Sequence, residues 1–421
     1  MTLRERQSGI YSEMETENAS NRAEREWVAA RRVMTLAMAH SGEFQARMRA
    51  VGLTVEDVRS PDDWVAIPPL PKKDLISFQK AQGLAAMLSG GIGELARIYM
   101  SPGPIFDPEG RGYDHWGWTE GFFAAGFRRG DVVQMTFGYH LTPAGLMLEE
   151  PLRELGCAVI PAGPGNTETQ IELLTRLPVT GFVGMASYLK VIKDKARAMG
   201  LDPKKDFKLE AAFVAAERLP ESLRSELEEE IGMVVRQGYG TADVGCIAYE
   251  GQVLGGMHLS SRCLVEICDP ATGLPVPEGE LGQVVVTPFT ENYPLVRLAT
   301  GDLSRLETSI CPCGRTSPRL AGILGRVDDT AKVKGQFIYP HQVAEVVQEF
   351  PSIVRWQVKV SNPGGKDALA VKLVLSGTLD VKAFAVAFQA KLKLRPEVET
   401  TTASADLPEG SPPLMDTRTY R

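Results

Sequence analysis

The stretch whose reading decides the fold runs from Asp131 to Gly240. In it DVVQMTF (131–137) is followed by LTPAGLMLEEPLRELG (141–156), CAVIPA (157–162), TETQIELLTRLP (167–178), TGFVGM (180–185) and ASYLKVIKDKARAMG (186–200). AAFVAA (211–216), PESLRSELEEEIG (220–232) and MVVRQGYG (233–240) continue the series. Short apolar runs alternate with helical stretches of ten or more residues. That alternation predicts parallel βαβ units in a doubly wound sheet. Ligands of such sheets sit beyond the carboxyl ends of the strands, so the loops after the short runs are where chemistry is expected.

Working outward, residues 1–90 read as a helical entry segment, broken by Pro61, Pro68, Pro69 and Pro71 and restarted by PKKDLISFQ. From Cys246 to Gly325 the text is strand-like (CIAYE, MHLSSRCLVEICD, GELGQVVVTPF, LVRLATGDLSRL), with turn signals at DPATGLP and PEGELG. A β-rich layer is expected there. Beyond GRVDD the order β-α-β-β-α predicts a small α+β domain of about 90 residues. The expected division is 1–327 and 328–421, with a hinge at Gly325–Asp329, and the tail LPEGSPPLMDTRTYR is expected to be irregular.

Composition excludes several classes. The chain has 421 residues and a net charge of −7, with no basic block interleaved with aromatics, so no nucleic-acid partner is expected. No apolar run reaches the ~18 residues that mark a membrane span. The start, MTLRERQSG, has no apolar signal core, and a cytoplasmic protein is expected. Five of the six cysteines (Cys246, Cys263, Cys268, Cys311 and Cys313) cluster in sequence. In a chain of this size and kind, clustering favours metal or redox chemistry over disulfides.

Four groups of residues carry candidate chemistry. YGTADVG (Tyr239–Gly245) follows an apolar run, so Asp243 is placed to face a phosphate-bound Mg2+; the alternative is a plain capping aspartate. In RLATGDLSRL, Asp302 follows a Gly turn and is placed to grip two ribose hydroxyls, or is an exposed turn residue. Cys311-Pro-Cys313-Gly is a tight knuckle that suits Zn2+; His258 is the nearest histidine, and the alternative is a set of small buried thiols. Cys263 and Cys268, five residues apart on one strand, face opposite sides. MSPGPIFDPEG offers Ser101 and Gly103 for phosphate, but Pro102, Pro104 and Pro108 remove donors, and a rigid structural loop is expected. His115, His140 and His341 are read as structural or solvent-facing.

Together these pieces resemble the phenylacetate-CoA ligase-type members of the adenylate-forming enzymes. AMAHSGEFQARMRAVGLTVEDVRSPDDWVAIPPLPKKDLI, GPGNTETQ, VGMASYL, YGTADVG, RLATGD, CPCGR and GRVDDTAKVKGQFIYPHQVAEVV occur in the family's order and spacing. The resemblance implies a large adenylate-forming N-terminal domain and a small C-terminal lid. It implies activation of a carboxylic acid by ATP through an acyl-adenylate, then transfer to coenzyme A. ATP/AMP, Mg2+, coenzyme A and a structural Zn2+ are the implied cofactors, and a homodimer the implied assembly. Aromatic residues such as Trp116, Trp118 and Phe137 fit an aryl acid; the alternative is that they are core packing.

By resemblance, Asp302 holds the ribose, and Tyr239, Gly240 and Thr241 border adenine and α-phosphate. Ser101 and Gly103 stand in the phosphate loop, and Asp243 takes the place of a Mg2+-binding glutamate. Glu217 lies beside adenine, and Arg326 and Asp328 form the hinge. Lys334, with Gly335, enters the site for thioester formation. Phe137, Tyr139, Ser187 and Tyr188 line the acyl pocket, and His258, Cys311, Cys313 and the displaced Cys246 hold zinc. The family's pattern has a fourth cysteine near Gly251, a Ser/Thr/Gly-rich phosphate loop with a lysine where this chain has MSPGPIFDPEG, two more arginines before Asp302 and a lysine near the C-terminus; here YGTAD replaces Y-G-x-[ST]-E and LPEGSPPLMDTRTYR has no lysine. Two other readings therefore stand beside an active ligase. One is a nucleotide- or acyl-CoA-binding homologue without adenylation. The other is a nucleotidyl transferase of the coenzyme F-390 synthetase type.

Overall fold

The computed structural model describes residues 6, 8–101, 104–327, 331–333, 336–363 and 367–418. Helix α1 (Ala19–His40) starts at Asn18, whose side chain accepts from Asn21 N. It ends at Ser41, one residue before Gly42, because the Ser41 hydroxyl caps α2 (Gly42–Val51) by accepting from Phe44 N. Ala30, Val33, Met34 and Ala37 follow helical spacing and bury one face of α1 against Phe44, Met48, Trp64 and Val296. Strand β1 (Leu70–Pro71) leads directly into α3 (Lys72–Gln82). A hairpin of β2 (Arg97–Ser101) and β3 (Ile105–Glu109) follows, then α4 (Thr119–Ala125).

The alternating stretch folds as expected. It gives β4 (Val132–Met135), α5 (Ala144–Glu154), β5 (Ala158–Pro161), α6 (Thr167–Arg176) and β6 (Gly181–Gly184). Next come α7 (Ala186–Ala198), β7 (Ala211–Val214), α8 (Glu221–Ile231) and β8 (Val234–Thr241). The strands pair in parallel in the order β5-β4-β6-β7-β8. Val133 and Met135 pack into one core with Trp118, Phe122 and Phe213, while Phe182, Ala212 and Val235 pack into another with Leu189, Ile192 and Leu227. Burial on both faces is why these strands read as continuous apolar runs.

The β-rich stretch is divided between two sheets. Strands β9 (Gly245–Tyr249) and β10 (Met257–Leu259) extend the large sheet antiparallel beyond β8. Strands β11 (Cys263–Cys268), β12 (Gly282–Pro288) and β13 (Leu298–Ser304) form a second sheet, which β1 joins in parallel. Strands β14 (Leu306–Glu307) and β15 (Arg319–Leu320) return to the edge of the large sheet, bringing the intervening Cys311–Arg315 turn back toward β10. Cys263 and Cys268 do face opposite sides of β11, and both are buried, in different clusters.

By contacts the chain forms two compact units, residues 1–300 with 304–322, and residues 301–303 with 323–421. In the second unit β16 (Gly325–Arg326) pairs with residues 302–303 of β13, and β17 (Ala331–Val333) with β18 (Gln336–Ile338). After α9 (Pro340–Gln348) come β19 (Ile353–Ser361), β20 (Ala368–Leu375), α10 (Val381–Leu392), β21 (Glu397–Thr401) and β22 (Leu414–Asp416), in a sheet of order β21-β20-β19-β22. Val343, Val346, Phe384 and Phe388 of the two helices are buried with Val358, Val371 and Leu373 of the sheet. The tail is not wholly irregular. Leu414 is buried and β22 runs parallel to β19, because an unpaired sheet edge recruits even a Pro-rich segment once one apolar side chain anchors it. No helix is long and apolar enough to cross a membrane among the described residues.

Candidate functional site

The turn after β8 is built by glycines. A Cβ on Gly240 would overlap the Gly245 carbonyl oxygen and lie 2.6 Å from Trp118 Cζ2. Gly245 has φ +83°, where only glycine sits without strain. The turn therefore closes tightly and buries Asp243. Lys72, at the first position of α3, reaches it with Nζ 2.7 Å from Asp243 Oδ2. Neither carboxylate oxygen of Asp243 makes an aligned hydrogen bond, and the buried Thr241 hydroxyl has no partner, among the described residues. Tyr239 OH donates to Thr300 Oγ1 at 3.2 Å, and Thr300 in turn donates to the Val284 carbonyl.

The hairpin carries buried acids. Asp107 is fully buried, and its Oδ2 accepts from Ser101 Oγ at 2.5 Å. Burial, and then the nearby Asp243 charge, push Asp107 up to about 6, against the opposing pull of Ser101 and Lys72. Glu109 is also buried and takes Tyr99 OH and Arg97 Nη1. The expected rigid loop is thus a β-hairpin, and Ser101 is occupied by Asp107. Gly103 lies outside the described residues, as do Asp328 and Lys334.

In the second unit, Asp302 lies opposite Arg326 in the β13–β16 pairing, with Arg326 Nη1 3.1 Å from its Oδ1. Gly301, at φ +84°, turns the strand ahead of it.

The expected acyl-pocket residues do not converge. Glu217 accepts from Ser187 N (2.6 Å) and Ser187 Oγ (2.9 Å), so it caps the start of α7. Tyr188 OH donates to the Gly165 carbonyl at 2.5 Å. Phe137 and Tyr139 pack instead on the cluster that holds Trp116 and Trp118, and Tyr139 OH donates to Glu149. Ser187 and Tyr188 belong with the opposite face of the parallel sheet, where Tyr188 packs.

The knuckle assembles three ligands. His258, Cys311 and Cys313 offer atoms all within 4.8 Å of one another. Cys313 Sγ lies 3.4 Å from His258 Nε2, while His258 Nδ1 faces Ser317 O at 3.4 Å and Ser317 Oγ at 3.3 Å. A partner on Nδ1 fixes the ring with Nε2 toward the sulfur, as metal-binding histidines require. Burial alone would raise the Cys313 thiol, but the hydrogen bonds from His258 and from Arg315 N outweigh it and bring it down to about 6. Arg315 Nη1 stands 3.9 Å from Cys313 Sγ. Two sulfurs and one imidazole nitrogen suit Zn2+. Cys246 does not join the group. Its thiol is fully buried beside Ser260 and Cys263, and burial pushes it well up.

Sequence reasoning missed Lys72 and Asp107. Both stand in segments quoted for other reasons, PKKDLI and MSPGPIFDPEG. The available signal was alternation: Ile105, Asp107 and Glu109 share one face of a strand whose face is buried. It also missed Glu15, whose Oε2 lies 2.5 Å from Arg315 Nε and accepts from Tyr249 OH, tying the N-terminal segment to the knuckle.

The fold is that of the adenylate-forming acyl-CoA ligases. Over 96% of this chain and 93% of the other, the structure superposes with TM-score 0.84 and 22% identity on an open conformation of 2-hydroxyisobutyryl-CoA ligase in complex with 2-HIB-AMP and CoA. With apo MatB from Rhodopseudomonas palustris the TM-score is 0.52 at 18% identity, over 75% and 66%. No family model matches the chain. The sequence is 33% identical over 346 residues to the phenylacetate-coenzyme A ligase of Thermus thermophilus, covering 79% of this chain and 77% of that one. It is 30% identical to the enzyme of the same name from Aromatoleum evansii, over 80% and 78%. The chain belongs to the phenylacetate-CoA ligase family.

Proposed function

We propose that this protein is an AMP-forming acid–CoA ligase that activates a carboxylic acid with ATP and passes the acyl group to coenzyme A. The observation that carries the reading is family membership along most of the chain, with YGTADVG, RLATGD and CPCGR in the family's order. An aryl acid is the favoured substrate, since Phe137 and Tyr139 pack beside Trp116 and Trp118 at the carboxyl end of β4.

In this reading Asp302 accepts from the ribose hydroxyls, exchanging its Arg326 partner for them. Tyr239 and Gly240 border the adenine and α-phosphate, the missing side chain at Gly240 letting Trp118 and the Gly245 carbonyl pack behind the strand. Attack of the acid's carboxylate on the α-phosphate releases pyrophosphate and builds negative charge. Asp243 would hold the Mg2+ whose charge offsets it. Coenzyme A thiolate then attacks the acyl carbonyl and AMP leaves; Lys334, by resemblance, enters the site for that step. His258, Cys311 and Cys313 hold a structural zinc away from this chemistry. Acyl pocket roles for Ser187 and Tyr188, and an adenine role for Glu217, require the contacts between Ser187 and Glu217 to open. A cytoplasmic homodimer completes the proposal, on the resemblance.

ATP–pyrophosphate exchange with a panel of aryl and short-chain acids tests the reading, with thioester formation followed by mass. Exchange with at least one acid is expected, and Asp302→Ala should weaken AMP binding about 10- to 100-fold, the weight of about 1.5–3 kcal/mol for a charged hydrogen-bond acceptor. No exchange with any acid, together with retained AMP binding, would establish the second reading, a nucleotide-binding homologue without adenylation. That reading is favoured by one observation: buried carboxylates at Asp107 and Glu109 line the hairpin where phosphate donors are expected.

A further inference from the structure

We propose that the N-terminal segment from Ser12 to Glu26 is a pH-sensitive strap, latched to the body by Arg25 and released when Glu26 takes on its negative charge. The device is independent of the ligase reading.

The strap is held at three levels. At its start, Glu15 Oε1 accepts from Tyr11 N at 2.7 Å and from Ser12 N at 2.9 Å, and the Glu15 carbonyl accepts from Thr316 N at 2.9 Å. In the middle, the Glu17 carbonyl accepts from Arg22 Nη2 at 2.7 Å and from Thr316 Oγ1 at 2.6 Å. At its end Arg25 makes two bonds at once. Its Nε donates to Glu17 Oε2 at 2.9 Å, and its Nη1 donates to the Ser261 carbonyl, just ahead of β11, at 3.1 Å. Arg25 therefore ties strap, helix α1 and β-rich layer together.

The same guanidinium has a second carboxylate within reach. Its Nη2 stands 3.9 Å from Glu26 Oε1, beyond hydrogen-bond length, while Glu17 holds it at 2.9 Å. Beneath the strap lies a polar cavity whose wall includes Glu15, Glu26 and Glu120 together with Arg22, Arg25 and Tyr249. Three carboxyl groups around one enclosed space cannot all be charged without cost. Glu15 has Arg315, with Nε 2.5 Å from its Oε2. Glu26 has no such partner of its own. Burial pushes its carboxyl up to about 7, against the pull of Arg25 and Arg22 and with a push from Glu17. From the other packed elements it faces Cys263 of β11 and, across the cavity, Glu120 of α4, itself pushed up by burial; neither offers a positive charge.

Neutral Glu26 leaves Arg25 to Glu17, and the strap is closed. Ionised Glu26 draws the guanidinium off Glu17 by a short swing, and the latch is lost. In the opened strap the Glu26 carboxyl returns to about 4.3. The closed form thus holds the proton more tightly. Its advantage is complete below about pH 4 and is lost as pH rises to about 7.

Hydrogen exchange on the full-length protein between pH 5 and pH 8 tests this, with each rate divided by its intrinsic rate to give an opening constant. The reporters are the amides of Met14 to Arg25 and of Thr316; the amides of β6 give global opening, which is subtracted. The strap's opening constant should rise about 10- to 100-fold from pH 5 to pH 7, within the limit of tenfold per pH unit for one proton, and level off above. Glu26→Gln should keep the low constant at every pH. Arg25→Gln should give the high constant even at pH 5. Glu24→Gln, an exposed acid on the same helix, should change nothing. A flat wild-type profile, or a wild-type profile in Glu26→Gln, overturns the proposal. Wild-type protection at pH 5 in Arg25→Gln overturns it equally, which keeps the test decisive if Glu26→Gln does not fold.

Discussion

The thiolate knuckle and the two acids Asp107 and Asp243 are both buried, and both gather side chains from distant parts of the chain, yet they are finished to different degrees. At the knuckle, His258 has Ser317 behind it, Cys313 has His258 and Arg315, and Arg315 has Glu15. At the two hairpin-side acids, Asp107 Oδ1 and Asp243 Oδ1 have no hydrogen-bond partner among the described residues, and Asp243 Oδ2 has the Lys72 ammonium. A place fully supported by second partners is organised by the protein alone. A place left short of positive charge is one that something else must complete.

The largest expected effect sharpens that contrast from the knuckle side. Cys313→Ser should take bound zinc from about one per chain to none by elemental analysis, and lower the melting temperature. Structural zinc contributes on the order of 10 kcal/mol of apparent binding energy where it closes a fold. Retention of a full equivalent of zinc would show that the ligands lie elsewhere.

Next is the support of the knuckle. Glu15→Gln leaves the Arg315 guanidinium buried without its carboxylate, both side chains being 1% exposed. Urea unfolding should show a loss of about 3–5 kcal/mol. A change below 1 kcal/mol would mean that the N-terminal segment does not hold the knuckle.

The two acids should behave in the opposite sense. Asp107 is held near 6 by burial and Asp243, above its value of about 3.9 in the unfolded chain. Its carboxyl is therefore neutral in the fold at a pH where the unfolded chain has already lost the proton. Metal-free stability should fall as pH rises from about 4 to about 6, by up to about 3 kcal/mol, and stay low above that window. Asp107→Asn should flatten this window and be more stable than wild type at pH 8 in the presence of a chelator. A less stable variant at pH 8 would mean that Asp107 is satisfied as a carboxylate.

The smallest effect lies between the two places. Tyr239→Phe removes the hydrogen bond to Thr300 and should cost about 1 kcal/mol in urea unfolding. It should leave zinc content unchanged. Loss of zinc in this variant would couple regions that the structure keeps apart.

Much of this was legible along the chain. The parallel strands β4–β8 were readable because burial on both faces leaves an uninterrupted apolar run, and the helices between them carry their own spacing. Cys311-Pro-Cys313 was readable because a knuckle is local: its two thiols are fixed by one turn. His258 could be named only as the nearest histidine, and Cys246 was named beside it though its thiol is buried beside Ser260 and Cys263. Nearness in sequence says nothing about which way a buried side chain points. Ser187 and Glu217 were assigned to separate pockets, whereas each satisfies the other at the start of α7.

The amino-acid order by itself determined the βαβ body, the α+β end, the family and the pairing of thiols in the cysteine turn, because each of these is written in periodicity or in a short motif. Only the tertiary structure decided that Lys72 meets Asp243, that Asp107 is buried with one oxygen unpartnered among the described residues, and that Glu15 lies against Arg315. Those pairings join segments that share no pattern. They exist because packing excludes water and each buried charge must then be neutralised by whatever the fold has placed beside it.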